Sequence, residues 1–283
     1  MLQEIRSYFP PREAESHKGC YGHVLSVCGS YGMAGAAVLA ARAALRCGVG
    51  LLTAAMPESV YPIITAAVPE AVCAPYAEGG ARAAAQLLPR LQKATAVLIG
   101  CGLSQSREAA ELTAALLNEA DCPVVLDADG INAAAKHIDI TGARRAPLIV
   151  TPHPLEMARL LHRSVEEVQR DRTATATEAA RRFQAVVVLK GHGTVVASPE
   201  GEVYVNHTGN PGMAVGGSGD VLAGMIAALA AQGLPPFAAA RCGVLLHGLA
   251  GDRAAARLSQ HAMLPSDMID ELGALFLNLE QAE

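Results

Sequence analysis

At 283 residues, 51% hydrophobic and only 17% charged, the chain has the balance of a globular protein with a sizeable core, not of a disordered one. Its net charge of -5 arises from 22 basic and 27 acidic residues without a basic stripe, which argues against nucleic acid or an anionic membrane as partner. Seven cysteines with no CxxC pair read as reduced core thiols and point to a cytoplasmic setting. The opening "MLQEIRSYFPPREAESHKG" mixes charge and proline where a signal peptide needs an apolar run, and no run approaches the roughly 20 residues of a membrane span.

Short apolar strands and longer helices alternate along the chain. "HVLSVCGS" (23–30) reads as a strand and "AGAAVLAARAALRCG" (34–48) as the helix after it; "GLLTAAMP" (50–57) and "ESVYPIITAAV" (58–68) repeat the pair. "TAVLIGCG" (95–102) precedes helical "SREAAELTAALLNEA" (106–120). "CPVVLDAD" (122–129) and "APLIVTPH" (146–153) are further strands, followed by one helical stretch over 164–184 and the strand "AVVVLKG" (185–191). These strands are apolar on both faces, as a parallel sheet covered by helices requires. "TVVASPEGEVYVN" (194–206) is a hairpin, with Pro199 and Gly201 in its turn. A glycine-rich stretch, a helix from near Ser218, and helices over 236–258 and 264–281 complete the chain. The expected fold class is α/β: a three-layer αβα sandwich on a mostly parallel central sheet, one domain over 1–283.

In an open parallel sheet, ligands bind beyond the carboxyl ends of the strands. In "TGNPGMAVGGSGD" (208–220), Gly216, Gly217 and Gly219 let backbone N–H groups converge at a helix N-terminus, a site for phosphate oxygens. A plain turn capped by Ser218 or Asp220 is the competing reading. Asp220 favours chemistry, because a carboxylate beside an anion-binding loop repels its ligand unless it takes a proton from the bound group. That is the arrangement for phosphoryl transfer to an alcohol.

The other strand ends supply further candidates. The chain has no P-loop, and "GSYGMAG" (29–35) lacks dinucleotide-fold spacing, but Gly35 and Ala36 open a helix and admit either a close ligand or a tight turn. "KGHGT" (190–194) puts Lys190 at the end of a buried strand, where it must meet an anion or pair with a neighbouring carboxylate. "TPHPLE" (151–156) holds His153 between two prolines that aim its imidazole away from the strand end, against the alternative of a packed loop histidine. Glu156 serves the helix dipole there or, as a metal candidate, holds Mg²⁺ through water. Asp127 and Asp129 face one side if their strand persists, as a metal pair or as turn residues. His23 and His247 sit in apolar surroundings and read as structural.

"SHKGCYGHVLSVCGSYGMAGAAVLAARAALRCGVG", "GCGL", "LDADGIN", "TPHPLEMARL", "VVLKGHGT" and "NHTGNPGMAVGGSGDVLAGMIAA" span about residues 12 to 260. Together they resemble the ADP/ATP-dependent NAD(P)H-hydrate dehydratases of the ribokinase-like superfamily. The resemblance implies repair of hydrated NADH and NADPH, with ADP or ATP as phosphate donor and Mg²⁺ as cofactor. It implies that Asp220 is the base contacting the hydrate, that Gly35, Ala36, Gly102 and His153 bind the hydrate, and that Lys190, Gly191, His192, Gly193 and Thr194 bind nucleotide with Gly217, Ser218 and Gly219. Cys101 stands where that family often has proline. A homo-oligomer, a tetramer, is implied, and so is a separate NAD(P)H-hydrate epimerase, for which about twenty residues before the first block leave no room. Two other readings stay open: a small-alcohol kinase of the same superfamily, and a non-catalytic nucleotide sensor.

Overall fold

The computed structural model describes residues 2–140 and 144–281. Nine strands form one sheet: β1 (His23–Val27), β2 (Leu51–Pro57), β3 (Val72–Tyr76), β4 (Ala96–Ile99), β5 (Val124–Leu126), β6 (Leu148–Val150), β7 (Val186–Leu189), β8 (Val195–Ala197) and β9 (Val203–Val205). Their order is β3-β2-β1-β4-β5-β6-β7-β8-β9. All pairs through β7 are parallel, and β8 and β9 add an antiparallel hairpin in the register Val195↔Val205 and Ala197↔Val203. The order reverses between β1 and β4, which gives the sheet a switch point. At one edge β3 carries Pro75, a residue tolerated where no ladder bond is needed from its nitrogen.

The helices in chain order are α1 (Ala34–Arg46), α2 (Tyr61–Ala67), α3 (Gly80–Leu91), α4 (Arg107–Glu119), α5 (Ala128–His137), α6 (Pro154–Leu161), α7 (Val165–Arg170), α8 (Arg172–Phe183), α9 (Ser218–Ala231), α10 (Pro236–Leu258) and α11 (Pro265–Gln281). They divide the core into two. Val24, Leu98, Val125, Ile149, Val188 and Val196 face α1, α9, α10 and α11, while Leu25, Val97, Leu126, Val150, Val187 and Val195 face α3 to α8. Adjacent strand residues thus go to opposite layers, as a strand buried on both faces must arrange them. The architecture is the expected αβα sandwich.

Three local readings needed correction. The stretch 164–184 is two helices, because Asp171 leaves helical geometry (φ -145°) and its carboxylate caps α8 at the Ala174 N–H. The strand expected to run to Asp129 ends at Leu126, and α5 starts at Ala128 with φ +45°. Asp127 and Asp129 therefore do not share a strand face. The sequence reading also passed over β3 and α3, whose edge position leaves "VCAPY" only partly buried and without a clear apolar alternation.

With no tryptophan and few aromatics, close helix packing rests on small residues. Gly224 in α9 abuts the backbone of α1, and a Cβ there would stand 2.1 Å from the Ala40 carbonyl oxygen. The facing side of α1 buries Ala37, Ala40, Ala41 and Ala44. Gly224→Ala should push the two backbones apart and cost about 2–3 kcal/mol, read by urea denaturation, whereas the same change at Gly273, with open space around it, should cost nothing comparable.

Candidate active site

The carboxyl ends of β4 to β7 and the N-terminus of α9 converge on one cluster of polar side chains. Asp127, just past β5, is 1% exposed and is the hub. Its Oδ1 accepts from Lys190 Nζ at 2.6 Å and from Thr151 Oγ1 at 2.6 Å, and its Oδ2 lies 3.6 Å from Cys101 Sγ. Lys190, just past β7, also stands 3.8 Å from Glu156 Oε2. Burial lowers the lysine's pKa, but the charges of Asp127 and Glu156 outweigh it and hold the ammonium above its ordinary range. The buried lysine does meet an anion, and in the protein alone that anion is the chain's own Asp127.

α9 brings Asp220 to the same cluster. The N-cap of α9 is Gly217 with φ +99°, a conformation that favours glycine, and no side chain caps the helix. Neither Ser218 nor Asp220 is a cap; the Ser218 N–H donates to the Val215 carbonyl at 3.3 Å, and the N–H groups of Gly219 and Asp220 are left to ligand or solvent. Ser218 is buried, and the His247 ring, neutral because burial lowers its pKa to about 4, donates from Nε2 to the Ser218 carbonyl at 2.9 Å. This fixes the helix start from behind. At Gly219 a Cβ would stand 3.3 Å from Lys190 Nζ, so the glycine makes room for the ammonium beside the helix N-terminus.

The carboxylate of Asp220 joins Cys101 and Asp127, with ligand atoms of all three within 4.8 Å of one another. Burial and the neighbouring charge of Asp127 raise its pKa to about 6, against the opposing pull of the Cys101 thiol and Lys190. A carboxylate with this pKa is ionised at neutral pH and still basic enough to accept a proton.

Of the two readings open for His153 the structure has the packed, hydrogen-bonded one, and Glu156 is the acid in the first turn of the helix. The imidazole turns back onto α6, where Nδ1 accepts from the N–H groups of Leu155 and Glu156 at 3.1 and 3.3 Å. Glu156 Oε2 in turn accepts from the His153 N–H at 2.8 Å, which completes a capping box. The prolines thus hold the histidine as a helix cap, and they do not aim it away from the strand end. Nε2 lies 3.4 Å from Glu156 Oε1, and the side chain is 45% exposed. Burial raises the Glu156 pKa to about 7, against the pull of Lys190.

The remaining expected residues fall around this cluster. Gly102, at φ +63°, packs against α1, where a Cβ would meet the Met33 carbonyl at 2.8 Å and Ala36 Cβ at 2.9 Å. Gly35 has open space at the start of α1. Thr194 closes the Gly191–Thr194 turn, its hydroxyl donating to the Gly191 carbonyl at 2.9 Å, with His192 and Gly193 between. Arg172 braces that turn through the Leu189 and Lys190 carbonyls at 2.9 and 3.2 Å. Asp129 faces the other way, accepting from Ser104 N–H at 2.9 Å and from Asn132.

Sequence reasoning missed Thr151 and Arg172, and it missed Asp252, which holds the glycine-rich stretch through Gly209 N–H at 2.9 Å and Asn210 Nδ2 at 3.0 Å. His23 bridges the Lys93 carbonyl and Thr53 Oγ1, a structural role as read.

Sheet order, helix layers and a glycine-hinged helix N-terminus over an aspartate define a ribokinase-like α/β protein. A solved ribokinase-like superfamily protein from Enterococcus faecalis shares the fold with a TM-score of 0.88 and 26% identity, over 99% of this chain and 95% of that one. The family described as NAD(P)H-hydrate dehydratase matches residues 24–273, and the chain belongs to it. The ADP/ATP-dependent NAD(P)H-hydrate dehydratase of Bacillus subtilis, crystallised with ATP and Mg²⁺, is similar with a TM-score of 0.86 and 35% identity, over 99% of this chain and 97% of that one. A bifunctional NAD(P)H-hydrate repair enzyme of Moorella thermoacetica is 47% identical over 281 residues, 98% of this chain and 53% of its own. The chain spans about half the length of the bifunctional relatives it matches.

The Asp127–Lys190 pair has a measurable consequence. Asp127→Ala strands a buried ammonium and Lys190→Met a buried carboxylate, and each should cost about 3–5 kcal/mol in denaturant unfolding. The double variant should cost less than the sum of the two, and strict additivity would show that the pair is not coupled.

Proposed function

We propose that the protein returns the S epimer of hydrated NADH and NADPH to NADH and NADPH at the expense of ADP or ATP. The observation that carries this reading is Asp220, set with a pKa of about 6 at an uncapped helix N-terminus beside the Lys190 ammonium. Asp220 takes the proton of the ring hydroxyl as its oxygen attacks the terminal phosphorus of the nucleotide, whose bond to the bridging oxygen breaks so that AMP leaves from ADP or ADP from ATP. The N–H groups around Gly217, Ser218 and Gly219, together with Lys190, stabilise the charge on the transferred phosphoryl group. The nucleotide lies along Lys190 to Thr194, and Gly35, Ala36, Gly102 and the exposed edge of His153 hold the hydrate. The new C–O–P ester then loses phosphate, the neighbouring carbon gives up a proton, and the ring double bond returns. Phosphorylation supplies what the hydroxyl lacks, a good leaving group.

The donor set fits Mg²⁺ in part. Asp220 and Glu156 offer the oxygen atoms this ion prefers, whereas Asp127 Oδ1 is already taken by Lys190 and Thr151, and the Cys101 sulfur is too soft. Bound with the nucleotide, Mg²⁺ would neutralise phosphate charge, and Glu156 would hold it, commonly through water, which leaves Asp220 free to take the proton.

The proposal extends to one domain over residues 1–283, a cytoplasmic homotetramer and a functional partnership with an NAD(P)H-hydrate epimerase. The bifunctional repair enzymes among the relatives support that partnership. Among the described residues, no helix is long and apolar enough to cross a membrane.

Mixing the protein with Mg²⁺, hydrated NADH and either ADP or ATP should restore the near-ultraviolet absorbance of intact dihydronicotinamide and release inorganic phosphate. No recovery with either nucleotide, and a stable phosphate ester with another alcohol, would assign a small-alcohol kinase instead.

Asp220→Asn should lower kcat/KM by roughly 10² to 10⁴. In the parent, kcat/KM should fall below pH about 6 as Asp220 protonates, and the variant should lack that limb. Stability should run the opposite way. The folded pKa lies above the ordinary value of 3.8, so the ionised carboxylate is costly to the fold, fully so above pH about 6. The parent should therefore gain on Asp220→Asn in thermal melts as pH falls from 7 to 4.

A further inference from the structure

A cavity of about 580 Å³ opens at the carboxyl ends of β1 to β4, a volume in the range of small-molecule sites. It lies at the switch point of the sheet, where the connections after β1 and β4 leave for opposite faces and part the layers. Leu103 and Ser104 form its wall nearest the catalytic cluster and continue directly from Cys101, whose sulfur stands within 4.8 Å of the Asp127 and Asp220 carboxylates. Lys190 and the Gly191–Thr194 turn lie on the other flank, three strands away at the end of β7. Asp220 thus stands between a flank suited to a phosphate donor and a flank with room for the bulk of an acceptor.

The chemistry of the cavity is selective. Ser30, Ser59 and Ser106 offer hydroxyls, Glu78 and Glu108 offer carboxylates, and among the described residues no Lys, Arg or His lines it. Of the cations beside it, Arg107 pairs with Glu111 at 2.9 Å and Lys136 donates to the Gln105 amide oxygen at 2.9 Å, while Arg82, between the lining residues Gly80 and Ala83 of α3, is exposed and does not line the cavity. Carboxylates accept hydrogen bonds from a ribose diol, and they repel a ribose phosphate that carries about -1.5 to -2 charges at neutral pH.

We infer that this cavity receives the adenosine half of the hydrated dinucleotide, with Glu78 and Glu108 facing its ribose, and that hydrated NADH is therefore preferred to hydrated NADPH. The inference rests on the dehydratase reading and adds a substrate preference to it.

The test measures kcat/KM for both hydrates side by side. At low ionic strength hydrated NADH should be favoured by about tenfold, and added salt should shrink the ratio because the two acids are exposed at the rim. Glu78→Gln combined with Glu108→Gln should bring the ratio towards one by accelerating hydrated NADPH. Ala109→Trp, which fills the cavity, should raise KM for the dinucleotide hydrates far more than for hydrated nicotinamide mononucleotide, which has no adenosine half. Equal kcat/KM in the parent, or a preference that the glutamine changes leave intact, overturns the selection. A tryptophan variant that raises KM equally for dinucleotide and mononucleotide overturns the placement. Should that variant not fold, the two rim substitutions, on exposed side chains, still decide. Absence of turnover with every hydrate would instead sink the dehydratase reading itself, a distinct result.

Discussion

α9 cannot move without the core moving, and the site depends on that constraint. From Val221 to Ala231 every residue of the helix is buried, so it has no solvent face along which to slide. Gly224 locks it against the α1 backbone, and His247 holds the Ser218 carbonyl. The helix N-terminus is consequently fixed at the carboxyl edge of the sheet, with Asp220 at the ends of β4 and β5 and Gly219 beside Lys190. Placing Asp220 on a buried helix gives a precision that a loop would lack. The absence of tryptophan and the abundance of alanine are part of the same design, since only small side chains let two helix backbones approach this closely.

The electrostatics of the cluster follow from this placement. Asp127, Asp220 and Glu156 surround one ammonium, and two of the three have pKa values raised towards neutrality by burial. Like charges kept close with too few counter-charges repel one another, and a cation bound beside them would relieve that repulsion. Lys190 is bound to Asp127 and stands against Gly219, so it is already oriented when an anion arrives at the helix N-terminus. Cys101 contributes a thiol to this floor at a position where the resemblance leads one to expect proline, and its sulfur touches the hub carboxylate.

Much of this was legible in the sequence, and the parts that were not share a cause. Strands buried on both faces announce themselves as apolar runs, which is why β1, β2, β4, β6, β7 and the β8–β9 hairpin were readable. β3 was not, because an edge strand with Pro75 and an exposed Val72 carries little pattern. Asp220, Lys190 and the glycines were visible because costly residues at strand and helix ends demand an explanation. Their partners were not, because Asp127 and Lys190 are 63 residues apart and only the sheet order brings β5 and β7 to either side of β6. The sequence left two readings of His153 open for a local reason. Its own Nδ1 competes successfully for the first N–H groups of α6, and one-dimensional spacing does not reveal which way a ring turns.

Pro75 at the outermost strand has an effect beyond the shape of the sheet. An open edge of a parallel sheet is a template on which foreign strands grow, and proline withdraws one of the donors that such growth requires. The residue therefore makes this border a poorer template for edge-to-edge growth than an unbroken strand would be.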